Sequence, residues 1–189
     1  LAPAQVEEYR RDLELDAAFE IEGVARFRLN LHRANGHTGA VIRIIPPVIR
    51  SVESLGLPPS LKRLAFERQG LVLVTGPTGS GKTTTLAALI DLVNRHKAGH
   101  IVTIEDPIEV THPPRRCVVT QRELGADTRS FARAIKAALR QAPDVILIGE
   151  MRDRETIELA LKAAETGHLV FSTLHTQDAV QSINRVINA

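Results

Sequence analysis

Residues 74–85 read VTGPTGSGKTTT. Gly76, Gly81, Lys82 and Thr83 fit G-x-x-x-x-G-K-[ST], the pattern of a loop that cradles polyphosphate. The apolar run Leu71-Val72-Leu73-Val74 precedes it and suits a buried parallel strand. Leu86-Ala87-Ala88-Leu89-Ile90 follows it and is rich in helix formers. A strand, a glycine-rich turn and a helix in that order are the context the motif requires. Glycines let backbone amides crowd around an anion without Cβ clashes. The amides and the helix N-terminus present positive partial charge to it. The predicted contact set is Gly76, Pro77, Thr78, Gly79, Ser80, Gly81, Lys82, Thr83 and Thr84. Lys82 is placed to reach the terminal phosphates, and Thr83 to bind Mg²⁺.

Outward from the loop, strand and helix alternate to the end of the chain. Strands are expected at 71–75, 101–105, 117–120, 145–149 and 169–173, and helices at 82–96, 129–140, 154–165 and 178–187. This alternation predicts an α/β fold, a mainly parallel sheet flanked by helices. Upstream, residues 5–14 read as a charged helix. Alternating apolar positions then predict strands at 19–22, 24–31 and 41–45, with Asn35-Gly36 as a turn and Pro46-Pro47 as a stop. The expected organisation is a small α+β region at 1–45, a linker with a short helix at 46–70, and the nucleotide-binding domain at 71–189.

Composition narrows the classes. The chain has 189 residues, 43% hydrophobic and 24% charged, with a net charge of +2. That charge is too mild to argue for nucleic acid, and five Phe, one Tyr and no Trp leave little for base stacking. The single cysteine, Cys117, excludes an internal disulfide and suits a reducing compartment. The seven His show no metal spacing, and no apolar run approaches the roughly 20 residues of a membrane-spanning helix. The first residue is Leu1 and the only Met is Met151, so the natural N-terminus is expected to lie upstream.

Three further stretches carry chemistry. TIEDPIE, residues 103–109, puts Glu105, Asp106 and Glu109 at a strand end, where open parallel sheets face their ligands. Such carboxylates can hold Mg²⁺ through water or orient a nucleophilic water; an acidic surface loop is the plain alternative. DVILIGE, residues 144–150, is an apolar strand that delivers the carboxylate of Glu150, the Walker B arrangement for a metal. TGHLVFSTLHT, residues 166–176, brackets a strand with His168 and His175. His175 falls at the strand's C-terminal end, where it can hydrogen-bond a γ-phosphate; either His can equally be an ordinary surface or core side chain. Arg28 and Arg43 lie on upstream strands and read first as solvated side chains. A cation near a transferred phosphoryl is nevertheless worth about 10³–10⁵ in rate.

GPTGSGKT, TIEDPIE, ILIGEMRD and ETGHLVFSTLHT, in this order, closely resemble the Walker A, Asp box, Walker B and His box of the type II/type IV secretion ATPase superfamily. GVARFRLN, QRELGADTRSF and AAETGHLVF look most like its type IV pilus retraction (twitching-motility) branch. The resemblance implies a homo-hexameric ring of RecA-like ATPase domains that uses ATP and Mg²⁺. It implies that residues 1–45 are part of a PAS-like N-terminal domain and that a C-terminal helical domain lies outside this chain. It assigns Glu109 as catalytic base, Glu105 and Asp106 as supporting groups, Glu150 as the acid acting through Mg²⁺, His175 as the γ-phosphate contact and His168 as its partner. Arg28 and Arg43 match arginines that bridge to nucleotide. The implied partners are the inner-membrane platform protein and the rest of the pilus machinery, with no direct nucleic acid. The implied place is cytoplasmic, peripheral to the inner face of the bacterial membrane. The rival readings are pilus assembly or protein secretion by the same enzyme class, a nucleic-acid motor, and a nucleotide-gated scaffold without turnover.

Overall fold

The computed structural model describes residues 1–45, 48–176 and 178–188. It separates into two units, Leu1–Val48 and Ile49–Ala189.

In the first unit, helix α1 (Pro3–Asp12) ends where Leu13 takes a left-handed conformation. Strands β1 (Glu14–Ile21), β2 (Ala25–Ala34) and β3 (His37–Ile45) then form an antiparallel sheet in that order. Asn35 and Gly36, with φ of 51° and 80°, make the two-residue turn between β2 and β3; positive φ at both central positions suits the twist of a tight hairpin. β1 starts five residues earlier than its alternation suggests, because Glu14–Ala18 pair with Arg28–His32 of β2. Pairing across the sheet outweighs local pattern there. The Pro46-Pro47 stop lies outside the described residues.

The second unit runs α2 (Ser60–Ala65), β4 (Gly70–Thr75), α3 (Lys82–His96), β5 (Gly99–Glu105), β6 (Cys117–Glu123), α4 (Phe131–Ala138), β7 (Val145–Ile148), α5 (Arg154–Glu165), β8 (Leu169–Leu174) and α6 (Ala179–Ile187). Its five strands lie in the order β4-β8-β7-β5-β6, and every neighbouring pair is parallel. Successive strand residues alternate between two cores, as the pleat requires. Ile101, Val145, Leu147, Leu169 and Phe171 pack with Leu86, Leu89, Ile90 and Val93 of α3. Val102, Ile104, Ile146, Ile148 and Val170 pack with Ile135 of α4 and with Ile157 and Ala160 of α5. The fold is the α/β arrangement, a parallel sheet flanked by helices, that the alternation predicts.

Two expectations change. Residues from Ile49 onward belong to the second unit rather than to a linker. Val52 and Ala65 are buried in the α3-side core, because α2 needs an apolar surface to cover its own. The strand before the loop is half-buried rather than fully buried. The strand order leaves β4 at the edge, with β8 as its neighbour.

Candidate nucleotide-binding and hydrolysis site

The loop leaves the C-terminal end of β4 and enters α3. Gly76, with φ of 145°, is in a conformation that only glycine adopts freely, and a Cβ there would stand 2.7 Å from Ser80 Oγ. α3 starts after Gly81 with no side-chain cap, so its first amides are available to an anion. Lys82 is only 8% exposed, and its Nζ donates to the carbonyls of Gly76 and Pro77, both at 3.0 Å. These partners are neutral, so the ammonium keeps its attraction for phosphate. Thr83 is half-buried and Thr84 exposed on the first turn, and residues 77–80 are exposed.

β7 and β8 deliver the next groups to the same sheet edge. Gly149 donates its N–H to Ile104 O at 2.8 Å and accepts from Thr173 Oγ1 at 2.7 Å. That anchoring fixes Glu150. One Glu150 oxygen pairs with Arg152, and the other lies 3.6 Å from His175 Nε2. The Glu150 hydrogen bond holds the Arg152 guanidinium above its ordinary pKa, and the charge of Asp106 adds to this. Arg152 thus electrostatically links the Walker B acid to the Asp box.

The Asp box folds back over the end of β5. Glu105 is 6% exposed. It accepts from Thr103 Oγ1 at 2.7 Å, from Gln121 Nε2 at 3.2 Å and from the backbone N–H of Glu109. Burial pushes its carboxyl above the ordinary carboxylate range, and the nearby charge of Glu109 pushes the same way. Ile108 N–H donates to Glu123 at 3.0 Å, and Leu124 N–H to Glu105 O at 2.8 Å. Glu109 is half-buried and Asp106 exposed.

The sheet brings together the ends of β4, β5, β7 and β8, and with them the loop, the Asp box, Glu150 and His175. His168 precedes β8 and is seven residue steps from His175, about 23 Å at a rise of about 3.3 Å per residue. Its Nδ1 lies 3.0 Å from Ala163 O. It stands at the end of the sheet where β4 and β8 begin, opposite the loop. Arg28 and Arg43 belong to the first unit, where they are directly opposite each other on β2 and β3. The sequence alone gives no site role to Arg152, which lies within ILIGEMRD, or to Gln121, which opens QRELGADTRSF. The pairing of Thr103 with Gln121 between β5 and β6 brings Gln121 to the site. Among the described residues no His, Cys, Asp and Glu group forms a metal cluster, and no helix is long and apolar enough to cross a membrane.

A glycine-rich phosphate loop, an acid ending a nearby buried strand and a parallel sheet define a P-loop nucleotide-binding domain of RecA type. Comparison with known proteins narrows the class. Residues 14–188 match the family described as type II/IV secretion system protein, and the chain belongs to that family. It is 54% identical over 184 residues, 97% of the chain, to a type IV pilus retraction ATPase, PilT, of Pseudomonas aeruginosa. It is 52% identical over 180 residues, 95% of the chain, to a twitching motility protein of Neisseria gonorrhoeae. A crystal structure of the pilus retraction motor PilT with bound ADP superposes with a TM-score of 0.97 at 48% identity, over 100% of this chain and 55% of that one. The chain spans about half the length of the curated relatives it matches, 54% and 48% of these two.

Proposed function

We propose that this chain is the nucleotide-binding and hydrolysing portion of a hexameric, Mg²⁺-dependent ATPase that powers type IV pilus retraction. The observation that carries this reading is the convergence of phosphate loop, Asp box, Glu150 and His175 on one edge of one sheet, in a chain of the secretion ATPase family. Lys82 and the loop amides hold the phosphates of ATP. Oxygen donors suit Mg²⁺, and the Thr83 hydroxyl with the anchored, largely buried Glu150 carboxylate would hold it. When bound, the ion neutralises charge building on the phosphates.

Glu109 polarises the attacking water. Its backbone is tied to Glu105, so the carboxylate is carried on a fixed loop. Burial favours the protonated form of Glu105, which suits it to hold the loop rather than to take up a proton. His175 contacts the γ-phosphate and reports its loss to Glu150. Arg28 and Arg43, adjacent across β2 and β3, form a cationic pair that we assign to the nucleotide, in the same subunit or in a neighbour of the ring. The motor works against the pilus platform at the inner face of the cytoplasmic membrane.

The test is deletion of the gene in its native host, with surface pili counted and twitching scored. Excess pili with lost twitching support retraction. Bare cells mean assembly, and an unchanged surface means secretion or another cargo.

A further inference from the structure

We propose that Gln121 is a positioning residue for hydrolysis: its side-chain amide bridges Glu105 to the backbone beyond Glu109 and so sets where the Glu109 carboxylate stands. The proposal rests on the reading of Glu109 as the group that polarises water. Gln121 lies on β6, half-buried, opposite Thr103 of β5. Its Nε2 donates to Glu105 Oε1 at 3.2 Å and to Val110 O at 2.9 Å. Its Oε1 accepts from His112 N–H at 2.7 Å. One planar group therefore closes the loop from both sides of Glu109.

The chemistry of the bridge selects an amide. It must donate to a carboxyl and a carbonyl while accepting from an N–H. A carboxylate cannot donate, and an ammonium or guanidinium cannot accept. A cation here would also place a positive charge beside Glu109 and weaken it as a base, whereas the amide positions without adding charge. The rest of the loop is held separately. Asn94, fully buried, donates to Pro113 O at 2.8 Å and accepts from Arg115 and Cys117 N–H at 3.1 and 3.3 Å. Losing the Gln121 bridge leaves Ile108 tied to Glu123 and Glu109 N–H tied to Glu105, while the Asn94 clamp persists, and frees the stretch Val110–His112 that follows Glu109. The titratable groups around position 121 are Glu105 on β5, Glu109 and His112 in the loop, and Arg122 and Glu123 beside it on β6.

The experiment uses the full-length natural protein with Gln121→Leu, Gln121→Glu and, as control, Glu109→Gln. Steady-state ATPase rates and affinity for a fluorescent ATP analogue are measured at about pH 8 and about pH 6, where a proton shared by two adjacent carboxyls is bound more fully. Both Gln121 variants are expected to keep analogue affinity within about twofold, and to lose roughly 10- to 100-fold in kcat at the higher pH, the range for a misplaced catalytic group. Relative to wild type, Gln121→Glu should recover at the lower pH, because a proton shared with Glu105 restores a donor. Gln121→Leu should not recover, and if it fails to fold, the recovery of Gln121→Glu decides alone. Wild-type kcat in the variants, or kcat and affinity falling together with no pH recovery, overturns the proposal. If Glu109→Gln retains turnover, the reading beneath it fails as well. If only Glu109→Gln is impaired, the role of Gln121 alone is lost.

Discussion

Glu150 and His175 leave adjacent strands, β7 and β8, and their side chains come to 3.6 Å of each other. The register that pairs Ile148 with Ser172 fixes this approach. The acid proposed for the metal and the imidazole proposed for the γ-phosphate therefore share one local field. The second carboxylate oxygen is engaged by Arg152, so loss of the carboxylate at 150 releases both the Arg152 guanidinium and the His175 ring. Glu150→Gln is expected to raise the Mg²⁺ concentration needed for half-maximal ATPase and to cut kcat by about 10²-fold or more, within the reach of a lost metal contact. Nucleotide binding should be largely retained. A Mg²⁺ titration of the ATPase rate checks this, and an unchanged midpoint would remove Glu150 from the metal site.

Lys82→Ala is expected to abolish tight ATP binding. The ammonium is held by carbonyls alone in the bonds to Gly76 and Pro77, so its charge is free to serve the phosphates. Analogue binding followed by fluorescence measures the loss. Wild-type affinity in the variant would sink the phosphate-loop assignment.

Glu109→Gln should keep nucleotide affinity and lower turnover by about 10²-fold or more, the span of one acid–base group. Single-turnover ATP hydrolysis separates the two effects. Survival of the chemical step would move the role of base to Glu105 or Glu150.

His112 is expected to make the protein acid-sensitive. It is 4% exposed, and its Nδ1 is buried without a hydrogen-bond partner among the described residues. Burial lowers its pKa from 6.5 to about 4, against a weaker opposite pull from Asp91. The unfolded chain binds a proton on this ring near pH 6.5, and the folded chain does so only near pH 4. Stability associated with the neutral ring is therefore present above the unfolded value and lost as pH falls from about 6.5 to about 4, on the order of 3 kcal/mol in all. His112→Phe keeps a ring of similar bulk and should flatten that loss. Urea midpoints at neutral and mildly acidic pH test it, and an unchanged acid slope means other groups carry the titration.

GPTGSGKT, with its flanking apolar strand and helix, declares the phosphate loop in the sequence alone, because each residue type there answers a local demand. Glycines supply positive φ, Lys82 supplies charge and Thr83 a hydroxyl. The parallel sheet follows from the alternation of apolar strands and amphipathic helices, and Glu150 and His175 from their places at strand ends. All of these are properties of short segments. Only the tertiary structure decided that β4 is an edge strand, that residues from Ile49 pack into the nucleotide-binding unit, and that His168 stands at the far edge from the loop. It alone sets Arg28 against Arg43, draws Arg152 onto Glu150 and places Gln121 beneath the Asp box. Each of these depends on strand order and register, which are set by pairing between segments far apart in the chain and leave no mark on a local pattern.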